Sequence, residues 1–465
     1  MKRPRPFLLA LALSCAAWEA QGEEGGAWAA LASEFQATEV SGNLIYFQRN
    51  RERYRVDTRR FDSNLHHRTL QGNLEVTSPF LADTAGFDLG VFATDDLHNS
   101  ASPDHEISFF PWSDPWSADW SKKDARGGSS LYRAHLKLRH KREDGLWWGK
   151  LGYFQPSGPG VLGVNWSLMP GTYLGAESGI DAGRLSLAGA YVTQYKAPWY
   201  RKTYAFREDD AKETKIDHLW SIGARYAFTP ETSAEIAYGE APGFLQSAHV
   251  KLKYRQAASA TQSPLYLSYQ LYVMGDHDDS ATAGEISNNH YAGRWAFQHY
   301  LAFAREFSRY ALKGEFLHTR APSTRETHLG YFVYRLSGRY GGANGAYEPW
   351  WDNRSDWNHN RESAVFVSLS RSLDDLINTS GLTMTLSAAR GWGGKAYGVQ
   401  QTLKEAAWSL DLTWVIPSGT LKNARIRLHY THYDNKTDQP SWVGYKNLFQ
   451  DERDLKFFVI LPWKL

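Results

Sequence analysis

From Gly42 onward the chain is built of segments of about ten residues in which apolar and polar positions alternate, the period of β-strands. Clear examples are residues 132–139 (YRAHLKLR), 408–414 (WSLDLTW) and 424–430 (ARIRLHY). No helical period interrupts this pattern. Alternation indicates strands with one apolar face, and it is compatible with both a soluble sandwich and a membrane barrel.

The lengths of the connections favour the barrel, because outer-membrane barrels alternate short periplasmic turns with long external loops. Tight connectors occur at Ser78–Ala85, Lys141–Gly145, Gly179–Gly183, Thr229–Thr232, Arg305–Phe307 and Pro417–Asn423. Long polar stretches alternate with them, at Arg51–His67, Asp95–Ser129, Gln155–Gly171, Lys196–Asp217, Gly275–Gly293, Thr319–Ser363, Gly391–Glu405 and Asn435–Asp454. The strand-like segment Tyr331–Tyr340 would break the alternation, so we assign it to one long external loop. The prediction is an all-β, antiparallel transmembrane barrel of eighteen strands, with sixteen as the alternative.

The N-terminus predicts export. Three cations, an apolar run and Ala20-Gln21-Gly22 are typical of a signal peptide at residues 1–22. We expect a periplasmic segment at 23–41 and the barrel at 42–465. The single cysteine, Cys15, lies inside the signal peptide. The expected location is the outer membrane of a Gram-negative cell.

Composition excludes several classes of protein. Mean hydropathy is −0.52. No apolar run beyond the N-terminus reaches the roughly 20 residues that a spanning helix needs, so a helical transporter is excluded. A net charge of +2 gives no reason to expect nucleic acid as a partner. No nucleophile elbow, zinc-protease motif, phosphate loop, dinucleotide fingerprint or paired-cysteine motif is found, so we predict no catalytic residues, no cofactor and no metal.

Basic residues recur at inward positions of the predicted strands. These form a basic ladder of Arg133, Lys137, Arg139, Lys251, Lys253, Arg255, Arg425 and Arg427. A barrel of this width leaves an aqueous lumen that side chains do not fill, so passage of a polar solute is the expected activity. The ladder either guides solutes that carry carboxylate or amide oxygens, or is balanced by acids on the opposite wall.

Aromatic and polar residues alternate in two long loops. The candidate substrate contacts there are Trp112, Trp116, Trp120, Trp350, Trp351, Asp352, Arg354, Asp356 and Trp357. Sugar rings present apolar faces to aromatic side chains, while their hydroxyls need partners such as Asp and Arg. The alternative is that these aromatics belong to the interfacial girdle or pack the loops together.

Several runs in the sequence resemble the chitoporins, which belong to the OprD-like porins of Gram-negative bacteria. The most specific are residues 350–357 (WWDNRSDW) and 449–457 (FQDERDLKF), with further matches at 167–177, 195–199, 433–435 and 440–442. The resemblance implies a monomeric channel for chitooligosaccharides in contact with outer-membrane lipid and lipopolysaccharide, inserted by the barrel assembly machinery. It also implies an inward-folding constriction loop at Gln155–Gly171, with Trp166 near the narrowest point.

Two other functions stay open on the sequence alone. One is an OprD-like porin for basic amino acids, peptides or carboxylates, in which the ladder matters and the tryptophans are architectural. The other is a secreted, soluble β-protein that binds or cleaves glycans.

Overall fold

The computed structural model describes residues 37–55, 58–99, 127–200, 202–208, 214–259, 263–276, 295–323, 329–338, 341–342, 347–349, 351–353, 355–377, 379–437 and 451–465. The strands are β1 (Glu39–Arg55), β2 (Arg60–Thr77), β3 (Ala85–Asn99), β4 (Gly128–Arg142), β5 (Gly145–Phe154), β6 (Thr172–Ala182), β7 (Leu185–Lys196), β8 (Tyr204–Arg207), β9 (Lys215–Ile216), β10 (Leu219–Ala227), β11 (Thr232–Ala241), β12 (Leu245–Gln256), β13 (Leu265–Asp276), β14 (Trp295–Phe307), β15 (Tyr310–Arg320), β16 (Ser363–Ser372), β17 (Leu382–Gly394), β18 (Leu403–Val415), β19 (Arg425–Asn435) and β20 (Glu452–Lys464). One helical turn, α1 (Asp374–Ile377), lies between β16 and β17.

Eighteen of these strands close into one antiparallel barrel, as the alternation and loop lengths predict. Each pairs with its neighbour along the chain, β7 pairs with β10 across the short β8 and β9, and β20 closes the ring onto β1. The segment Tyr331–Tyr340 forms no strand within its described part; it contributes only an isolated bridge between Tyr331 and His359. The prediction that it belongs to one long loop is therefore confirmed.

The pairing places alternate residues on the two faces of the wall. Leu136, Val250 and Leu252 are exposed on the outside, whereas His135, His249 and Lys251 are buried on the inside. We call the outward apolar side chains the apolar belt. A shift of one residue in the pairing of two strands would exchange the inner and outer faces, so the apolar belt fixes the register.

One predicted loop is wrong. The stretch Arg51–His67 is mostly strand, because β1 continues to Arg55 and β2 begins at Arg60. The hairpin continues past the apolar belt into water, where the outward Glu52 and Arg68 are polar. Because both faces are polar there, apolar and polar residues do not alternate, and the sequence pattern does not indicate a strand. The structure also begins β1 at Glu39, three residues before the expected start of the barrel.

Candidate functional site: the loop-narrowed lumen

The basic ladder lies on the inner wall and is largely paired with acids. Its members follow the inward positions of β4, β12 and β19. Each β4 cation has an acidic partner: Glu75 for Arg133, Asp88 for Lys137 and Asp83 for Arg139. Arg427 contacts Asp411, while Arg255 lies over the ring of Tyr266. The inner wall therefore offers hydrogen-bond donors and acceptors side by side.

The loop between β5 and β6 (residues 155–171) folds inward against this wall, as the resemblance implied. Glu177, buried on β6, accepts the backbone N–H groups of Ser157 at 2.9 Å and Gly158 at 2.8 Å. On β10, the Ser221 hydroxyl accepts the N–H of Val161 at 2.8 Å. A Cβ on Gly158 would lie 2.3 Å from the Ala188 methyl, so glycine permits this close approach.

The C-terminal end of the same loop contacts strands on the β4 side of the β5–β6 hairpin. Met169 is buried with Ile45 of β1, Phe92 of β3 and Tyr132 of β4. Trp166, at the tip, is 68% exposed. The β5–β6 loop thus presents one open aromatic face while the rest of it is held to the wall.

A second loop, between β15 and β16 (residues 321–362), also folds inward, and no sequence signal singled it out as a constriction. Its described part is closed on itself by backbone hydrogen bonds from Phe332 to Asn358 and from Asn360 to Gly330. It packs on the first loop, since a Cβ on Gly342 would lie 2.0 Å from the carbonyl oxygen of Gly163. Both loops therefore narrow the lumen together.

Glu348 attaches this second loop to β12 and β13. Its carboxylate contacts Lys251 at 3.0 Å, contacts Lys253 and accepts the Gln270 amide at 2.7 Å. The backbone N–H of Glu348 donates to the Tyr272 hydroxyl at 3.0 Å. Although burial opposes the charge, Lys251 and Lys253 outweigh it and lower the pKa of Glu348 to about 2.

Asp352, four residues on, attaches the loop to β19 and β20. Its carboxylate contacts Lys456 and lies 3.5 Å from both Arg427 and His429. The Thr431 hydroxyl donates to the Asp352 carbonyl oxygen at 3.0 Å. Burial would raise the pKa of Asp352, but Lys456, His429 and Arg427 hold it well below the usual range.

These two attachments lie on opposite sides of the barrel. Counting strands from β12 to β20 gives eight steps one way and ten the other around the closed ring. Four peptide links reach at most about 14 Å, and the long side chains of Lys251 and Lys456 extend inward to meet them. We call Glu348–Asp352 the crossing segment, because its ends contact opposite walls.

Two of the predicted substrate tryptophans, Trp351 within the crossing segment and Trp357 beyond its end, are packed against the wall. Trp351 is 5% exposed, stacks on Phe366 with ring centroids 5.3 Å apart, and its indole N–H donates to Glu315. Trp357 is 1% exposed between Trp351 and Tyr433. Neither ring has a face open to a solute, so direct sugar contact does not fit their placement. Packing of the loop, the alternative considered from the sequence, accounts for both.

The other predicted contacts are placed as follows. Asp352 faces the lumen wall, as described, and Asp356 accepts the Tyr334 hydroxyl at 3.3 Å. The remaining predicted contacts, Trp112, Trp116, Trp120, Trp350 and Arg354, lie outside the described residues.

Sequence reasoning missed several charged residues of the lumen. They are Arg49, Lys150, Arg225, Glu235, Lys313, Glu315, Glu348 and Lys456, which make inward ion pairs. All but Glu348 occupy strand positions whose period marks them as inward. Glu348 lies two residues before the WWDNRSDW run, and only the path of the loop brings it to β12.

The outer face of the barrel is apolar. Exposed large apolar side chains occur around the circumference, including Leu44, Leu89, Leu151, Ile236 and Leu301. Among the described residues no helix has the length and apolar character required to cross a membrane. A closed barrel with an apolar exterior and a charged, loop-narrowed interior defines an outer-membrane channel.

The chain belongs to the OprD family of outer membrane porins, whose family model matches residues 45–443. It is similar to the chitoporin of Escherichia coli strain K12, with 35% identity over 448 residues, 92% of this chain and 91% of the relative. This membership excludes the soluble glycan-binding alternative. It also places the protein in the outer membrane and identifies it as a channel.

Solved structures agree on the fold. OccK9 (OpdG) of Pseudomonas aeruginosa superposes with a TM-score of 0.73 at 15% identity, over 93% of this chain and 100% of that chain. OccAB1 of Acinetobacter baumannii gives 0.72 at 15% identity, over 93% and 98%.

Proposed function

We propose that this porin mediates passive, selective diffusion of chitin-derived oligosaccharides across the outer membrane. The observation that carries the proposal is the 35% identity to a chitoporin over nine-tenths of both chains. The lumen chemistry supports it, since the inner wall offers alternating donors and acceptors.

The pairing of the ladder favours an uncharged solute. Lys137, Lys251 and Arg427 all have acidic partners within 3.0 Å, so the cations do not present a continuous positive surface. Among described residues, no ion pair is found for Arg255 or Arg425. A neutral sugar can exchange hydrogen bonds with both members of each pair, whereas a carboxylate must compete with the acid already there.

Transport requires that every contact be weak. Lysine and arginine donate to the carbonyl of an N-acetyl group, and Asp or Glu accepts from a sugar hydroxyl. Each such bond replaces one to water and contributes about 0.5–1.5 kcal/mol net. A series of shallow sites lets the sugar move on, as conduction requires.

Aromatic contacts with the sugar are assigned to Trp166 and to the predicted tryptophans outside the described residues. Trp166 offers an open face on the β5–β6 loop. Trp112, Trp116, Trp120, Trp350 and Arg354 stay predicted sugar contacts, because their residue types suit sugar rings and hydroxyls.

Single-channel recording in a planar bilayer tests the function. We expect chitohexaose to cause transient current blocks, and maltohexaose, which lacks N-acetyl groups, to cause none. Arginine and benzoate, tested in parallel, represent the basic and carboxylate solutes of the alternative. Blocks by either of these, with none by chitohexaose at high micromolar concentration, would refute the proposal.

We further propose that the protein acts as a monomer without catalytic activity, with lipopolysaccharide and the barrel assembly machinery as its partners. The apolar belt around the circumference suits lipid contact on all sides. Native mass spectrometry should give one chain per particle, and chitohexaose should be recovered uncleaved. N-terminal sequencing of the mature protein should begin at Glu23, after the predicted signal peptide.

A further inference from the structure

A compact group of three buried side chains lies where the β15–β16 loop rejoins the wall. His359 and Glu362 end the loop, and Glu405 points inward from the external end of β18. The exposed fraction is 0% for His359 and Glu362 and 1% for Glu405. One ligand atom from each lies within 4.8 Å of the other two.

The charges of this group are unbalanced. Two carboxylates share a single imidazole, and no lysine or arginine contacts either acid among the described residues. Even a protonated His359 would leave one negative charge uncompensated away from water, which is costly. A bound cation would supply the missing positive charge.

Hydrogen bonds hold the ligand atoms close together. The Tyr433 hydroxyl donates to Glu405 Oε2 at 2.6 Å, and Glu405 Oε1 is buried, 3.9 Å from His359 Nδ1, without a hydrogen bond in the described part of the chain. The backbone N–H of His359 donates to Glu362 Oε2 at 3.1 Å, and the same oxygen shares a hydrogen bond of 3.0 Å with His359 Nδ1. Separations of 3 to 4 Å are those of ligands that share one ion at about 2.0–2.2 Å. Hydrogen bonds to ligating carboxylates are the usual support of such sites.

We infer that His359, Glu362 and Glu405 bind one divalent transition-metal ion of the zinc type. Two carboxylates and a neutral imidazole balance a charge of +2. Mixed nitrogen and oxygen ligands favour zinc over calcium or magnesium, which take oxygen.

The ion would fasten the loop to the barrel. Two of its ligands belong to the β15–β16 loop and the third to β18, so coordination joins parts of the chain that are far apart in sequence. Glycine at 391 fits this arrangement, because a Cβ there would lie 2.2 Å from Glu362 Oε1. The role is structural, since the site is closed to the lumen.

Metal analysis of the full-length, tag-free porin tests the inference. The protein is folded with zinc chloride, dialysed against a weak chelator and analysed by plasma mass spectrometry, with X-ray absorption of the bound ion. We expect close to one zinc per chain, bound by one nitrogen and by carboxylate oxygens. Glu405→Gln and Glu362→Gln should each reduce the zinc content at least tenfold, whereas Asp411→Asn, an inward acid on the same strand, should leave it unchanged.

Two results would overturn the inference. One is less than a tenth of a zinc per chain in the parent after loading. The other is an equal zinc content in the parent and in folded Glu405→Gln. If Glu405→Gln does not fold, the X-ray absorption spectrum of the parent decides: an all-oxygen, all-sulfur or multi-histidine ligand set refutes the site. If the parent binds no metal and Glu405→Gln unfolds at a higher temperature than the parent, the two carboxyl groups share a proton instead of an ion, and the inference is wrong.

Discussion

The crossing segment is held to β19 and β20 by the charge of Asp352, and Asp352→Asn removes that charge with little change of shape. Lys456 keeps a second acid, Asp454, at 3.9 Å, and Arg427 keeps Asp411. The barrel wall should therefore remain intact. The attachment of the loop is what weakens.

The size of the effect follows from partial burial. The Asp352 side chain is 35% exposed, so solvent screens its ion pairs. The free energy lost when its charge is removed is therefore well below the roughly 3–5 kcal/mol that breaking a fully buried ion pair costs. A value of about 1–2 kcal/mol is reasonable for a charge-assisted contact of this kind. Because 1.4 kcal/mol is a factor of ten, the population of the detached loop should rise roughly 5- to 30-fold.

Single-channel recording measures this population as excursions to higher conductance. Asp352→Asn should increase their frequency 5- to 30-fold, while heat-modified mobility in gels stays as in the parent. Asp411→Asn is the matched control: it removes one negative charge from the same cluster and leaves the loop contact in place. Both variants should shift selectivity toward anions. Equal excursion frequencies in the parent, Asp411→Asn and Asp352→Asn would refute the crossing segment.

Three further outcomes are expected. Acids with a lowered pKa stabilise the attached loop fully above their ordinary pKa of about 4 and lose that effect as the pH falls through the lowered value. Asp352 and Glu348 should therefore hold the loop equally well from pH 8 to 5 and release it progressively as the pH falls from about 4 to about 2. Recordings at pH 7, 5 and 3 measure this, and unchanged excursions at pH 3 would contradict it. Trp166→Ala should shorten chitohexaose blocks about 2- to 10-fold, the worth of one aromatic contact, with Trp166→Phe retaining most of the dwell time; dwell times that do not change would remove this ring from the path. Gly223→Ala would place a methyl 2.5 Å from the backbone of the β5–β6 loop, so this loop should move and conductance should change, whereas Gly72→Ala, with open space around it, should conduct as the parent does.

The barrel itself was predictable, because a period of two depends only on the local chain. The alternation at 132–139 put Lys137 and Arg139 on the inside, and the structure agrees. The same reasoning failed at Arg51–His67. There the strands extend beyond the membrane, and polar residues occupy both faces.

The loop contacts were not predictable, because they depend on barrel closure. Asp352 and Lys456 are 104 residues apart and meet only when β20 has closed onto β1 and the loop has folded inward. Trp351 and Trp357 illustrate the same limit. Tryptophans beside acids suit a sugar path and a packed loop equally well, and only the route of the chain distinguishes them.

The crossing segment also has a mechanical consequence. A wall one sheet thick flattens easily, since flattening only opens and closes the angles between neighbouring strands. Glu348 and Asp352 join β12 to β20 through salt bridges at both ends, across the long dimension of that deformation. We therefore expect these salt bridges to resist flattening of the barrel under lateral pressure in the bilayer.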